Sequence, residues 1–129
     1  MLFNFFERHY KISLLITSII LIIIFSLSSI SFEFTPGSQK AISVYSVVYH
    51  FFAYFFLELF ILFSIIKGKY KFLIPTAIVF AIIFGFLDEI HQYFIPGRDS
   101  SFFDIFVDCA GILSSSLVYI LSFNKNSNI

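Results

Sequence analysis

The sequence predicts an all-α, polytopic integral membrane protein, a four-transmembrane-helix bundle with both termini cytoplasmic. Three observations predict it. Of 129 residues, 59% are hydrophobic and only 12% charged, whereas a soluble domain is nearer half apolar with about twice that charge. The apolar residues gather into four long runs, each close to the ~20 helical residues that cross a hydrocarbon core. The lysines and arginines are spread unevenly over the segments between the runs, which selects an orientation. No length remains for a soluble domain, so residues 1–129 are expected to form a single membrane domain.

The first run, Ile12 to Ile30, carries no charge and follows a short basic start with Arg8, His9 and Lys11. A signal peptide opens in the same way, but its apolar core is only about 7–15 residues and a small-x-small cleavage site follows. This run is longer and lacks a clear site, so it reads as a retained helix. Ser31 to Ser43 contains Pro36-Gly37 and reads as a loop with a turn. The second run, Val44 to Ile66, is interrupted by His50 and Glu58. A short basic loop, Lys67 to Lys71, leads to the third run, Phe72 to Gln92, with Pro75 in its first turn, where proline is tolerated. Pro96-Gly97 breaks that helix. The fourth run goes from Phe102 to Phe123, before a polar tail.

Four helices joined by short loops alternate in direction, so both termini face one side. With that side cytoplasmic, Arg8, Lys11, Lys67, Lys69, Lys71 and Lys125 lie inside, and only Lys40 and Arg98 lie outside. The membrane then has Glu33, Asp88, Glu89, Asp99, Asp104 and Asp108 at its outer face or in its outer leaflet. Formal charge is zero with no basic run, which argues against a nucleic-acid partner. Cys109 is the single cysteine, so there is no internal disulfide and no thiolate metal site.

The stretch from Gly85 to Asp104 holds Asp88, Glu89, His91, Gln92, Arg98, Asp99 and Asp104. An ionisable group at the bilayer centre costs ~3 kcal/mol or more, so such residues are functional-site candidates by default. His50 lies ~9 Å below the outer end of its helix, at 1.5 Å per residue. Asp88 and Glu89 lie about one turn inside the outer end of the third run, and Asp104 and Asp108 in the first two turns of the fourth. Three helices thus place ionisable groups at similar depth.

The faces agree. At 100° per residue, Asp88, Gln92 and Glu89 share an arc, with His91 just beyond it. Asp104, Asp108, Gly111 and Ser115 form a second stripe, and His50, Tyr54 and Glu58 a third. Gly85, Gly111 and Ser115 lack bulk, so backbones can approach closely there. The 21 phenylalanines are expected to face lipid.

Each residue also has a structural reading. Arg98 either pairs with Glu89 or Asp104 to pin the loop, or grips a phosphate or carboxylate with its guanidinium fork. Glu58 lies deeper and reads as a structural group or a neutral acid. His9 reads as an interfacial residue, and Asp99 as a cap for the turn before the fourth helix. Asp88, Glu89, Asp104 and Asp108 together must take up protons or bind a cation. His50, Glu89, His91 and Asp104 are the candidate ligands for a divalent metal such as zinc or manganese. No serine–histidine nucleophile pattern and no glycine-rich phosphate loop are present.

Tyr49-His-Phe-Phe-Ala-Tyr54, Asp88-Glu-Ile-His-Gln92, Pro96-Gly-Arg98 and Asp104-x-x-x-Asp108-x-x-Gly111 resemble the VanZ-like membrane family. The order and spacings match across the second to fourth runs. Two positions depart from the family pattern. Ser46-Val47 stand where an Asp-Lys pair is frequent, and Asp108 stands where asparagine is usual. The family is named for a protein associated with resistance to the glycopeptide teicoplanin. The resemblance implies a bacterial cell-envelope role and carries over His50, Asp88, Glu89, Gln92, Arg98 and Asp104 as site residues, beside Tyr54 and Asp108. As an enzyme, the protein would use Glu89 as general acid or base with His50 and Asp88 assisting, on a lipid-linked envelope precursor or a glycopeptide held by Arg98. The alternatives are a non-catalytic binding or partner protein, and a small transporter subunit in which Glu58 extends the polar path inward.

Overall fold

The computed structural model describes residues 2–31, 44–98 and 101–126. Helices α1 (Leu2–Arg8), α2 (Tyr10–Ser28), α3 (Val44–Ile66), α4 (Ile74–Tyr93) and α5 (Phe102–Asn126) follow in order, with one 3₁₀ turn, Lys71–Leu73, before α4. No strand occurs among the described residues. Four segments are long and apolar enough to cross a membrane: Tyr10–Ser28, Val44–Ile66, Lys71–Tyr93 and Phe102–Ser122. The chain is therefore an all-α membrane protein. The first spanning helix begins at Tyr10 and ends at Ser28, two residues ahead of the expected span at each end.

Helix α3 is the centre of the bundle. Half of its most apolar window is buried (50%), against 22%, 28% and 33% for the other three, and α2, α4 and α5 all pack on it. Gly111 sets the α3–α5 approach. A Cβ there would lie 2.4 Å from the Phe51 carbonyl oxygen and 3.1 Å from the Phe55 nitrogen. Gly85 admits Tyr54, whose Cε1 would be 3.2 Å from an added Cβ. Ser115 is fully buried on the same face of α5. Small residues thus bring backbones together where lipid supplies no hydrophobic drive for helix association.

The outward surface carries Phe52, Phe56, Phe80, Phe86 and Phe106, all exposed. Not every phenylalanine faces out, however. Phe63 is buried and meets Phe3 edge-on, with centroids 5.0 Å apart, while Phe6 meets Phe60 at 5.2 Å. These contacts account for α1, which hydropathy gave no reason to expect. Seven residues are too few for an isolated helix in water. Here Phe3 and Phe6 lie three apart on one face and seal the end of the bundle.

Both ends of the bundle are well defined. At one, Tyr119 Oη donates to Glu7 Oε1 at 2.5 Å, and Lys67 Nζ stands 3.9 Å over the Tyr10 ring. The N-terminal segment, the α3–α4 loop and the end of α5 thus share one end. At the other, α4 gives way to Ile95-Pro96-Gly97-Arg98, closed by the Arg98 N–H donating to the Ile95 carbonyl at 3.1 Å. Gly97 has φ +77°, which suits the third position of a type II turn with proline at the second.

Candidate functional site

Helix α4 presents two adjacent carboxylates to different neighbours. Asp88 faces α2: its Oδ2 accepts from Ser28 Oγ at 2.9 Å and from Gln92 Nε2 at 2.9 Å. Glu89 is turned 100° away, toward α5. Its Oε2 accepts the Ser101 N–H at 2.8 Å, while Ser101 Oγ accepts the Phe103 N–H at 3.2 Å. Ser101 therefore caps α5 with its hydroxyl and is itself tied to α4 through its backbone.

Helix α3 supplies His50, whose Nδ1 meets Asp108 Oδ1 of α5 at 3.0 Å. One ligand atom from each of His50, Glu89 and Asp104 lies within 4.8 Å of the others. Three helices thus converge on one point, and the side chains are deeply set: His50 and Glu89 are 4% exposed and Asp108 2%. Tyr54 packs beneath, and the Tyr49 ring stands edge-on to His50 at 5.5 Å.

Several buried oxygens here have no hydrogen-bond partner among the described residues: Glu89 Oε1, Asp108 Oδ2, Asp88 Oδ1 and the hydroxyls of Tyr49 and Tyr54. A buried polar atom without a partner costs roughly 1–3 kcal/mol, and folded proteins rarely tolerate a group of them. They lie on α3, α4 and α5, the three helices that supply the acids and His50. Beside them, an apolar cleft of about 400 Å³ runs between α4 and α5, lined by Phe86, Ile90, Tyr93, Phe94, Phe102 and Ile105, with Glu89 and Ser101 in its wall.

A family model for VanZ/LLP1 matches residues 5–123. The chain belongs to the VanZ/LLP1 family. The match covers nearly the whole chain, including α2, where the motifs alone offered only an apolar segment. No curated protein and no solved structure matches it.

Of the VanZ-like motif residues, the fold gathers His50, Glu89, Asp104 and Asp108 at one point, with Tyr54 below them. Asp88 and Gln92 pair with each other and with Ser28 on the α2 side. Arg98 sits half-buried at the end of the type II turn, within electrostatic range of the Tyr49 hydroxyl. His91, a candidate metal ligand by sequence, points elsewhere: its Nε2 meets Ser29 Oγ at 3.0 Å, and its ring stacks on Phe25 at 4.6 Å. Two residues beyond Glu89, it is turned about 200° around α4. Glu58 lies deeper, fully buried, and accepts from Ser116 Oγ at 3.1 Å. His9 bonds the Phe5 carbonyl at 2.9 Å and takes no part. Asp99, Glu33, Lys40 and Pro36-Gly37 lie outside the described residues.

Sequence reasoning missed Ser28, Ser101 and Ser116 as partners of the acids. A signal for Ser28 was present. Ser13, Thr17, Ile24 and Ser28 are the buried residues of α2, and their spacings of four, seven and four mark one helix face. It also missed the far end, where Glu7, Arg8, Lys67, Lys69 and Tyr119 border a cavity of about 750 Å³.

Proposed function

We propose that this VanZ/LLP1 protein is a multi-pass protein of the bacterial plasma membrane that binds and modifies a lipid-linked component of the outer leaflet. The cleft beside Glu89 carries this reading. Its walls are apolar, its rim residues Tyr93, Phe94 and Phe102 are exposed, and one wall is a buried carboxylate. An acyl or isoprenoid chain would lie in the cleft and bring its headgroup to the cluster. Glu89 then acts as general acid or base. His50, oriented by Asp108, assists, and Asp88 with Gln92 steadies α4 against α2. Arg98 takes the anionic part of the headgroup through its fork. Tyr54 and Asp104 border the same space. The uneven distribution of basic residues supports cytoplasmic termini and an outward site. The teicoplanin resistance associated with the protein for which the family is named points to a glycopeptide or its lipid-linked target as the substrate.

Lipid retention tests the reading. Protein extracted gently from bacterial membranes should carry a lipid-linked precursor in native mass spectra. Ile105→Trp fills the cleft from its apolar side and should expel it. Equal retention by the wild type and Ile105→Trp would sink the proposal. Catalysis separates from plain binding through Glu89→Gln: an enzyme keeps the lipid unconverted, whereas a binding protein behaves as before.

The seam below Asp108 supports a second reading, a small transport subunit. Ser115, Ser116 and Glu58 are buried there, and Glu58 Oε2 has no partner among the described residues. Proton or ion flux through proteoliposomes, lost in Glu58→Gln, would favour it.

A further inference from the structure

We propose that His50, Glu89 and Asp104 form a binding site for a first-row divalent cation, zinc or manganese, and that Asp108 is its positioning residue. The proposal rests on the reading of this cluster as the functional site, but not on the identity of the substrate.

The geometry comes first. One ligand atom from each of the three side chains lies within 4.8 Å of the others. Zinc holds nitrogen and oxygen at about 2.0–2.2 Å in a tetrahedron, so its ligands stand ~3.3–3.6 Å apart. Side-chain movements on the order of an ångström would close the three onto an ion. One imidazole and two carboxylates form a donor set that suits zinc and manganese. The ligands come from three helices, so their positions are fixed by the packing of the bundle rather than by a loop.

The second observation is the state of the two acids that flank the ring. Asp108 Oδ1 occupies His50 Nδ1 at 3.0 Å, which leaves Nε2 as the nitrogen for a cation. A carboxylate behind a metal-binding imidazole fixes its tautomer and raises its basicity, and such partners are the norm for histidine ligands. Glu89 is 4% exposed, and its Oε1 has no partner among the described residues. A bare carboxylate oxygen in a buried site is costly as it stands, and a cation supplies what it lacks. Charge points the same way. Glu89, Asp104 and Asp108 lie on α4 and α5 around this point, and two positive charges offset two of them. Three protein ligands also leave coordination positions for water or for an anionic headgroup.

The test uses the full chain, purified in detergent, stripped with chelator and titrated with zinc or manganese alone. Ion content is read by mass spectrometry and stability by thermal unfolding. The wild type should retain one ion per chain after dialysis, and its midpoint should rise with ion concentration. Glu89→Gln and His50→Gln, each eluting as a folded species, should lose the bound ion. Asp108→Ala should weaken binding about 10–100-fold. Asp108→Asn should recover most of that loss, because an amide oxygen still accepts the Nδ1–H, which a merely structural Asp108 would not predict. Glu7→Gln, an acid at the opposite end of the bundle, should bind like the wild type. Failure of the folded wild type to retain either ion overturns the proposal, as does equal retention by His50→Gln. Lipid retention and its loss in Ile105→Trp involve no added ion, so that reading survives or fails on its own.

Discussion

Among the described residues, buried Asp108 has one hydrogen-bond partner, His50 Nδ1 at 3.0 Å. His50→Ala removes that partner and leaves a buried carboxylate with nothing to accept. The expected cost is about 2–3 kcal/mol, the range for hydrogen bonds to charged groups, read as a lower unfolding midpoint in detergent. Asp108→Asn should cost less, since the amide oxygen keeps the contact. Arg98 offers a different kind of test. It follows α4 by one tight turn and faces the same end of the bundle as the acids. Arg98→Ala should abolish handling of an anionic substrate, and Arg98→Lys should restore only part, because the planar two-pronged donor is lost. Full activity in the lysine variant would reduce Arg98 to a generic positive charge.

Among the elements, the α3–α5 pair is the one that most constrains the site, because it holds His50 against Asp108. Gly111 lies one turn below Asp108, and a methyl group there would stand 2.4 Å from the Phe51 carbonyl. The backbones must then separate. Gly111→Ala should destabilise the protein by about 1–3 kcal/mol, as overpacking does, and should lengthen the His50–Asp108 contact. A variant as stable as the wild type would mean that the helices are not pressed together there. Much of this pairing was legible in the sequence. The stripe Asp104, Asp108, Gly111, Ser115 and the stripe His50, Tyr54, Glu58 needed only helical periodicity. Helix α1 was not legible, because a seven-residue helix draws its stability from Phe60, Phe63 and Tyr119, which lie far along the chain. The partners of the acids were hidden for a related reason. A serine in an apolar helix carries no sign of which carboxylate it will meet, so Ser28 could be placed on a face but not against Asp88.

The whole molecule has a chemical polarity from end to end. Glu7, Arg8, Lys67 and Lys69 gather at the end that holds the N-terminal segment and the α3–α4 loop. The acid cluster and Arg98 occupy the opposite end. The shared depth of His50, Glu89 and Asp104 was readable from counting residues, since rise per residue is constant in a helix. That His91 turns away from this group needed the orientation of α4, which one arc of polar residues did not fix to within one face. The proposed sidedness rests on the basic residues, and it decides which compartment the cluster serves. In a Cys109→Ser background, Lys69→Cys should resist a membrane-impermeant thiol reagent in intact cells and react once the cells are opened. Asp99→Cys should react in intact cells. Lys69 belongs to the α3–α4 loop at one end of the bundle, and Asp99 is next in sequence to Arg98, whose turn lies at the other. Labelling of Lys69→Cys from outside would invert the orientation. His50, Glu89 and Asp104 would then open to the cytoplasm, and a substrate in the outer leaflet would have no route to them.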